Sequence, residues 1–494
     1  MDYLDPRKQF QHRIILLVGY VCVAVAIVIA TLILLYQAYG FGLGKNGTVI
    51  QNGLVFLSSQ PNPAKIYLDN KLYSTQTNAR LVLPAGNYNV RLSRTGYRDW
   101  RRTIDLLGGS VEHFDYPVLF PINLTTTQIH DYASVPGLAT QSPDRRWLLV
   151  QQPGSMTAFD LYDLKNDTKT VMTTISLPTA IVSKATNSES WQVVAWADDN
   201  QHVLLQHIYD GKSEFILLDT QNPDQSLNLN TTLATSATNI TLDNIKYNQY
   251  YLYDALSDSL EMASLKSPTA TPYLDHVLAY QSYGNNSMLY VTDSDAPAGK
   301  TLLKLAVGSQ TYILHSFPVA SNYVLDLTQY AGTLYVAAGA SSENKVYIYR
   351  DPIAQLQAQP SHAVTPVQVL HVTDPDYLSF SDNAQFIVTE HGMEFGTYDI
   401  ENKLGYKYTI NTPLDPPEAH ATWMDGDRLT LVSGGKLVVF DYDDANQQTL
   451  MPGSAAYLPF FSTDYKYVYA IAPDSKTPGQ FAVTQTSLLT AADR

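Results

Sequence analysis

Residues 14–36 run for 23 positions without a charge, and no other feature of the 494-residue chain limits its fold as strongly. As a helix rising 1.5 Å per residue the run is about 34 Å long, enough to cross a bilayer. A cleaved signal peptide has an apolar core of roughly 7–15 residues and a small-residue cleavage site. This run is longer and Tyr36-Gln37-Ala38-Tyr39 is a poor site, so a retained transmembrane helix is expected. Arg7, Lys8 and Arg13 precede it, with His12 beside them, and only Lys45 follows closely. The positive-inside rule puts residues 1–13 in the cytoplasm and everything after residue 37 outside, a single-pass cell-membrane protein. Tyr36 and Tyr39 stand where an interfacial aromatic belt belongs. The single cysteine, Cys22, lies within the span, so no intramolecular disulfide and no cysteine-based metal cluster is available. Neither terminus carries a lipidation motif.

A glycine-rich linker, 37–53 with Gly40–Gly47 at its centre, leads into a small module at 54–120. Its apolar residues alternate with period two, as in Ala64–Leu68 and Tyr88–Leu92, and turn residues such as Asp69-Asn70 and Pro84-Ala85-Gly86-Asn87 punctuate them. Asn70 stands where a hairpin glycine is usual and tolerates the left-handed conformation. The segments Ala64–Lys71, Leu83–Leu92 and Gly96-Tyr97 resemble the PEGA domain, a small β-sandwich of prokaryotic envelope proteins. Asn62-Pro63-Ala64 replaces its name-giving motif. The resemblance implies an extracytoplasmic interaction module rather than an enzyme. Residues 54–113 hold eight basic and four acidic residues, a net charge of +4, whereas residues from 114 onward sum to −21. The densest basic stretch, 94–102, offers Arg94, Tyr97, Arg98, Trp100, Arg101 and Arg102 as a contact for anionic lipid headgroups or an anionic wall polymer, each cation contributing about 1 kcal/mol near such a surface. The same stretch also suits a solvated strand face with Tyr97 and Trp100 turned into the core.

The remainder, 121–494, repeats. Ser142–Val150, Trp196–Leu205, Phe380–Val388, Trp423–Leu431 and Phe461–Tyr469 each place an acidic turn ahead of an apolar strand, and a second strand follows each. Three further units, beginning near Tyr250, Ser287 and Gly332, keep both strands but lack the acidic turn. Eight units of roughly 45 residues match one four-stranded propeller blade per period. Seven blades result if the first and last units share one, with strands after Phe120 pairing near Phe481–Val483. The turns resemble those of the periplasmic propeller of the Tol system and of WD-like bacterial propellers. The expected fold is mainly β: a single N-terminal transmembrane helix, a PEGA-like β-sandwich, then a propeller of eight or seven blades.

Catalytic signatures are absent: no His-Glu-x-x-His, Gly-x-Ser-x-Gly or phosphate-binding glycine loop occurs. Ser342-Glu343-Asn344-Lys345 fits the Ser-x-x-Lys spacing, but in a polar turn between strands rather than at a helix start. His202 and His207 sit five apart on a strand and face opposite sides. Asp425-Gly426-Asp427 and Asp441–Asp444 have the oxygens a calcium ion needs, yet such turns commonly lack metal. Sequons at Asn46, Asn123 and Asn239 are expected by chance in a chain this rich in Asn and Thr. No cofactor and no metal site is expected, and a net charge of −15 argues against nucleic acid. The chain reads as a membrane-anchored binding or scaffold protein of a prokaryotic envelope, its propeller a platform for an envelope protein or cell-wall glycan. The alternative is a propeller-type glycan-active hydrolase or lyase, which requires convergent carboxylates in the central funnel. With 13 residues before the span, a sensor would have to signal through partners.

Overall fold

A computed structural model describes residues 6–38, 40–43, 49–165, 170–284, 287–359, 362–474 and 476–494. Lys45, the Asn46 sequon, Tyr39 and residues 44–47 of the expected tether lie outside them. The chain divides into two compact units, Met1–Asn123 with Ala491–Arg494, and Leu124–Thr490.

The first unit begins with a helix, Pro6–Ala38. Within it Phe10–Tyr36 is long and apolar enough to cross a membrane, and none of that window is buried in protein. Its polar Thr31 is satisfied internally, the hydroxyl donating to the Ile27 carbonyl at 2.8 Å, as an apolar surround demands.

Two four-stranded sheets follow. One is built on Val49–Leu57, which pairs antiparallel with Phe41–Leu43 and Ala79–Pro84 and parallel with Val111–Phe114. The glycine-rich linker is therefore shorter than expected from the sequence: Phe41–Leu43 and Val49–Gln51 already form a ladder, because paired backbone satisfies its own hydrogen bonds. The other sheet runs Lys71–Ser74, Lys65–Leu68, Gly86–Ser93, Trp100–Leu106. Asp69 and Asn70 both take positive φ, 49° and 64°, at the hairpin between its first two strands. The core contains Val55, Ile66, Leu81, Val90, Leu92, Trp100, Ile104, Leu106 and Leu119.

The second unit is a β-propeller. Each of the eight repeat units becomes one four-stranded antiparallel sheet, spanning in order 139–176, 189–228, 239–274, 277–318, 323–370, 377–409, 422–452 and 460–487. The last has only three strands from its own stretch. Thr125–Tyr132 supplies the fourth, pairing with Phe481–Ser487 from Phe481 opposite Tyr132 to Ser487 opposite Thr125. The strands after Phe120 thus pair near Phe481–Val483, as expected for the seven-blade alternative, but the ring they close has eight blades. First strands lie against one another where blades 2 and 3, 4 and 5, and 5 and 6 adjoin. The second and third strands are almost wholly buried, as in Trp147–Gln151 and Arg428–Ser433, because each blade is covered on both faces by its neighbours. Apolar clusters accordingly join residues of two successive blades, for example Leu149, Phe159, Trp196, Val203 and Leu218. Tyr132 fastens the closing strand to blade 1: its hydroxyl donates to Asp160 Oδ2 at 2.8 Å and meets the Tyr162 hydroxyl at 2.8 Å. Asp160 is fully buried, and its other oxygen accepts from Gln152 and Thr174, each at 2.7 Å.

Candidate functional site

The repeated acidic turn has a local cause. In blade 1 the Ser142 hydroxyl donates to Asp144 Oδ1 at 2.5 Å and accepts from the Trp147 amide at 2.9 Å. Ser381 with Asn383 and Ser462 with Asp464 repeat that wiring in blades 6 and 8. The residue that follows is left-handed each time, Arg145, Ala384 and Tyr465. Short side chains that bond the nearby backbone fix such turns. The turns also interlock across the ring. Arg145 of blade 1 pairs with Asp382 of blade 6 and lies 4.6 Å from the ring centroid of Tyr465 in blade 8. The Asp144 amide donates to Asn200 of blade 2 at 2.9 Å, and Thr463 of blade 8 donates to the Asp144 carbonyl at 2.9 Å. Gly426 of blade 7 lies so close to blade 6 that a Cβ there would collide with the Asn383 side chain. Blades 6, 7, 8, 1 and 2, the five with acidic turns, are thereby tied together.

Blades 3–5 lack that turn, and beside them the ring is open. A cavity of about 920 Å³ is lined by the first strands of blades 3, 4 and 5 and the end of the first strand of blade 2. Its lining includes Tyr253, Tyr280, Tyr283, Asn239, Gln281 and Gln329, and among the described residues it holds one carboxylate, Asp326, and no Lys, Arg or His. Asp326 is spoken for: one oxygen accepts from the Leu327 amide at 2.8 Å and the other from the Phe380 amide at 3.0 Å. Burial pushes its pKa up to about 6 against those two donors.

The basic stretch of the first unit divides by strand parity. Trp100 is 1% exposed and Tyr97 3% exposed. Both are core side chains, which removes them from the expected anion-binding set; Trp100 shares its face with Ile104 and Leu106. Arg94 turns aside, donating to the Pro63 carbonyl at 2.5 Å and pairing with Asp493. Arg98 is half-buried, and burial lowers its pKa. Arg101 and Arg102 remain, and the structure adds Arg91, which sits opposite Arg101 in the ladder. With Asn70, Asn89 and Thr103 these three line a depression of about 340 Å³. Like charges directly opposite repel. Asp99 relieves this, a single oxygen, Oδ2, meeting Arg91 and Arg101 at 3.2 Å each. Burial opposes its charge, but hydrogen bonds from Ser93, Arg91 and Arg101 hold its pKa below the usual carboxylate value. The Arg91 guanidinium lies 3.8 Å from the Tyr67 ring centroid and that of Arg102 5.7 Å from Phe114, which keeps both extended.

Residues 52–118 match a PEGA domain. No curated protein matches the chain. Similar solved structures include dihydro-heme d1 dehydrogenase NirN in complex with DHE, at 14% identity over 65% of this chain and 66% of that one, TM-score 0.40. Others are oligogalacturonate lyase in complex with manganese, 9% identical over 75% and 99%, TM-score 0.38, and the Cps50 (Swd1) β-propeller domain of Myceliophteria thermophila, 11% identical over 73% and 99%, TM-score 0.38.

The PEGA domain also holds segment 491–494: Asp493 pairs with Arg94 and accepts from the Tyr97 hydroxyl at 2.7 Å. Parity within Trp100–Leu106 would have put Trp100, Ile104 and Leu106 in the core and Arg101 at the surface, but it groups Arg102 with the core face, and nothing local signals the Arg94–Asp493 pair, 399 positions apart. The remaining candidates are structural. His202 bonds Asp199 at 2.6 Å, whereas His207, fully buried, bonds Glu214 at 2.9 Å. Asp425 Oδ1 accepts from the amides of Asp427 and Arg428, each at 2.8 Å, and its other oxygen pairs with the Arg428 guanidinium. Asp441 accepts from Asn446 at 2.8 Å. Among the described residues no group of three or more His, Cys, Asp or Glu side chains is placed to hold a metal ion. Ser342 lies in a 3₁₀ turn, Ser341–Glu343, and not at the start of an α-helix.

Proposed function

We propose that the chain is a non-catalytic scaffold of a prokaryotic envelope, anchored by a retained helix with residues 1–13 in the cytoplasm and the remainder outside. In this reading the PEGA domain contacts a polyanion, a lipid headgroup surface or an anionic wall polymer, and the propeller presents a binding surface. The observation that carries it is the depression lined by Arg91, Arg101 and Arg102 with three polar neighbours, where Arg91 and Arg101 share a single carboxylate, Asp99. Replacing Arg101 and Arg102 with Ala removes about 2 kcal/mol of attraction, near 30-fold in affinity. The test uses the full chain in phosphatidylcholine nanodiscs, with phosphatidylglycerol vesicles in one arm and purified anionic wall polymer in the other. Binding in either arm, weakened by the double substitution and by salt, supports the reading and identifies the source. Binding that ignores both rejects it.

One observation favours a hydrolase or lyase. Asp427, in the turn of blade 7, has its pKa pushed up to about 7 by burial and by Asp425, a range suited to a general acid. Its neighbours Asp425 and Arg428 are committed to each other, so Asp425 is not free to complete a pair. Polysaccharide turnover abolished by Asp427→Asn would establish the enzyme instead.

A further inference from the structure

We infer that the cavity beside blades 3–5 is a binding site for an uncharged oligosaccharide. Its lining sets the ligand class. With no Lys, Arg or His there, a phosphate, sulfate or uronate would lose its hydration without gaining a counter-charge. The one carboxylate already accepts two backbone hydrogen bonds, so a cation is not called for either. Amide side chains each offer donors and an acceptor, and Asn239, Asn244, Gln281 and Gln329 bring four of them to the lining. Sugar hydroxyls need that mixture, and the C–H face of a pyranose packs on an aromatic ring.

The rings are fixed in advance. The Tyr280 hydroxyl meets Thr241 Oγ1 at 3.1 Å, the Tyr283 hydroxyl accepts from the Gln329 amide at 3.1 Å, and Tyr253 donates to the Val277 carbonyl at 2.9 Å. Hydroxyls spent on the protein leave the rings rigid, so little side-chain entropy is lost when a ligand arrives. The volume, about 920 Å³, lies within the ~300–1,000 Å³ of ordinary ligand sites. The sequence supplies a second, independent observation. The acidic turn that ties the other five blades is missing from the three consecutive blades whose first strands line the cavity. A peptide is the competing occupant, but peptides generally carry charged side chains or ends, for which the lining has no counter-charge.

The test is calorimetric titration of the full chain in phosphatidylcholine nanodiscs, which avoids sugar detergents. The probes are tetrasaccharides of N-acetylglucosamine, β-1,4-glucose and α-1,4-glucose, with tetragalacturonate and an end-capped tetra-alanine as competitors. At least one neutral tetrasaccharide is expected to bind with little dependence on salt. Gln281→Ala, at an exposed side chain that leaves packing intact, and Tyr280→Ala should each weaken it tenfold or more. Tyr280→Phe, which keeps the ring, should cost less than threefold, and Arg101→Ala nothing. The inference is overturned if no neutral probe binds, if tetragalacturonate or the capped peptide binds more tightly, or if Gln281→Ala leaves affinity unchanged. Polyanion binding by the PEGA domain is read in a separate assay, so either result stands without the other.

Discussion

Closure of the propeller rests on a hydroxyl that can be removed without changing shape. Tyr132 belongs to the strand Thr125–Tyr132, which completes blade 8, while its hydroxyl donates to Asp160 in blade 1. Both groups are buried, Tyr132 at 4% exposure and Asp160 at 0%. Burial, then Tyr162 and Asp160, raise the phenol pKa far above its ordinary value, so it stays protonated and donates. Tyr132→Phe deletes one oxygen and leaves the carboxylate with two of its three donors. A hydrogen bond to a charged group contributes about 1.5–3 kcal/mol net, so a loss of about 2 kcal/mol is expected. Tyr162→Phe should cost about 1 kcal/mol or less, because Tyr162 meets Tyr132 rather than Asp160. The assay is urea unfolding of the chain in nanodiscs, followed by near-ultraviolet circular dichroism, with an unchanged denaturant slope as the check that only stability has moved. A double-mutant cycle with Asp160→Asn should return about 1–2 kcal/mol of coupling. A loss below about 0.5 kcal/mol, or strictly additive single effects, would refute a locking role for the bond.

Two further outcomes follow from buried charge. Burial pushes the pKa of Glu390, fully buried, up to about 7, and the Glu390 carboxylate, 3.3 Å from Nδ1 of His420, accepts from it and raises its pKa. Both groups bind protons more tightly folded than unfolded, so stability present at about pH 4.5 is lost as pH rises through 7; Glu390→Gln should flatten unfolding midpoints measured between pH 5 and 8. Asp425→Ala removes one carboxylate partner of Arg428, 6% exposed at its side chain, and should cost about 1.5–3 kcal/mol in the same urea assay, while Asp425→Ala combined with Arg428→Met should recover part of it.

Much of the architecture was legible because it is local. Period-two alternation, turn residues and a repeat of fixed length define the strands, and the need to close a ring pointed to a pairing of strands after Phe120 near Phe481–Val483, though for a ring of seven blades. The acidic turns were visible as a motif, and their Ser and Asp residues explain why: each turn wires itself. Their second role was not visible. Arg145 and Asp382 stand 237 positions apart and meet only because the closed ring brings the turns of blades 1 and 6 within reach. The cavity was hidden for the same reason, since Asn239, Gln281 and Gln329 share no spacing, only a position on the first strand of a blade. The basic stretch was half legible. Composition marked the arginines, but burial of Trp100 and Tyr97 depends on which face of a strand meets the opposite sheet.

The mode of closure also sets a timetable for synthesis. The strand ending at Tyr132 finds its partner about 350 residues later, at Phe481. At roughly 5–20 residues per second, the ribosome needs about 20–70 s to cover that interval. Throughout it, one strand waits with an open hydrogen-bonding edge while seven blades assemble behind it. Such an edge invites pairing with any passing chain. In the envelope reading proposed above, the chain is threaded across a membrane as it is made, and that interval is when a chaperone on the far side has most to protect.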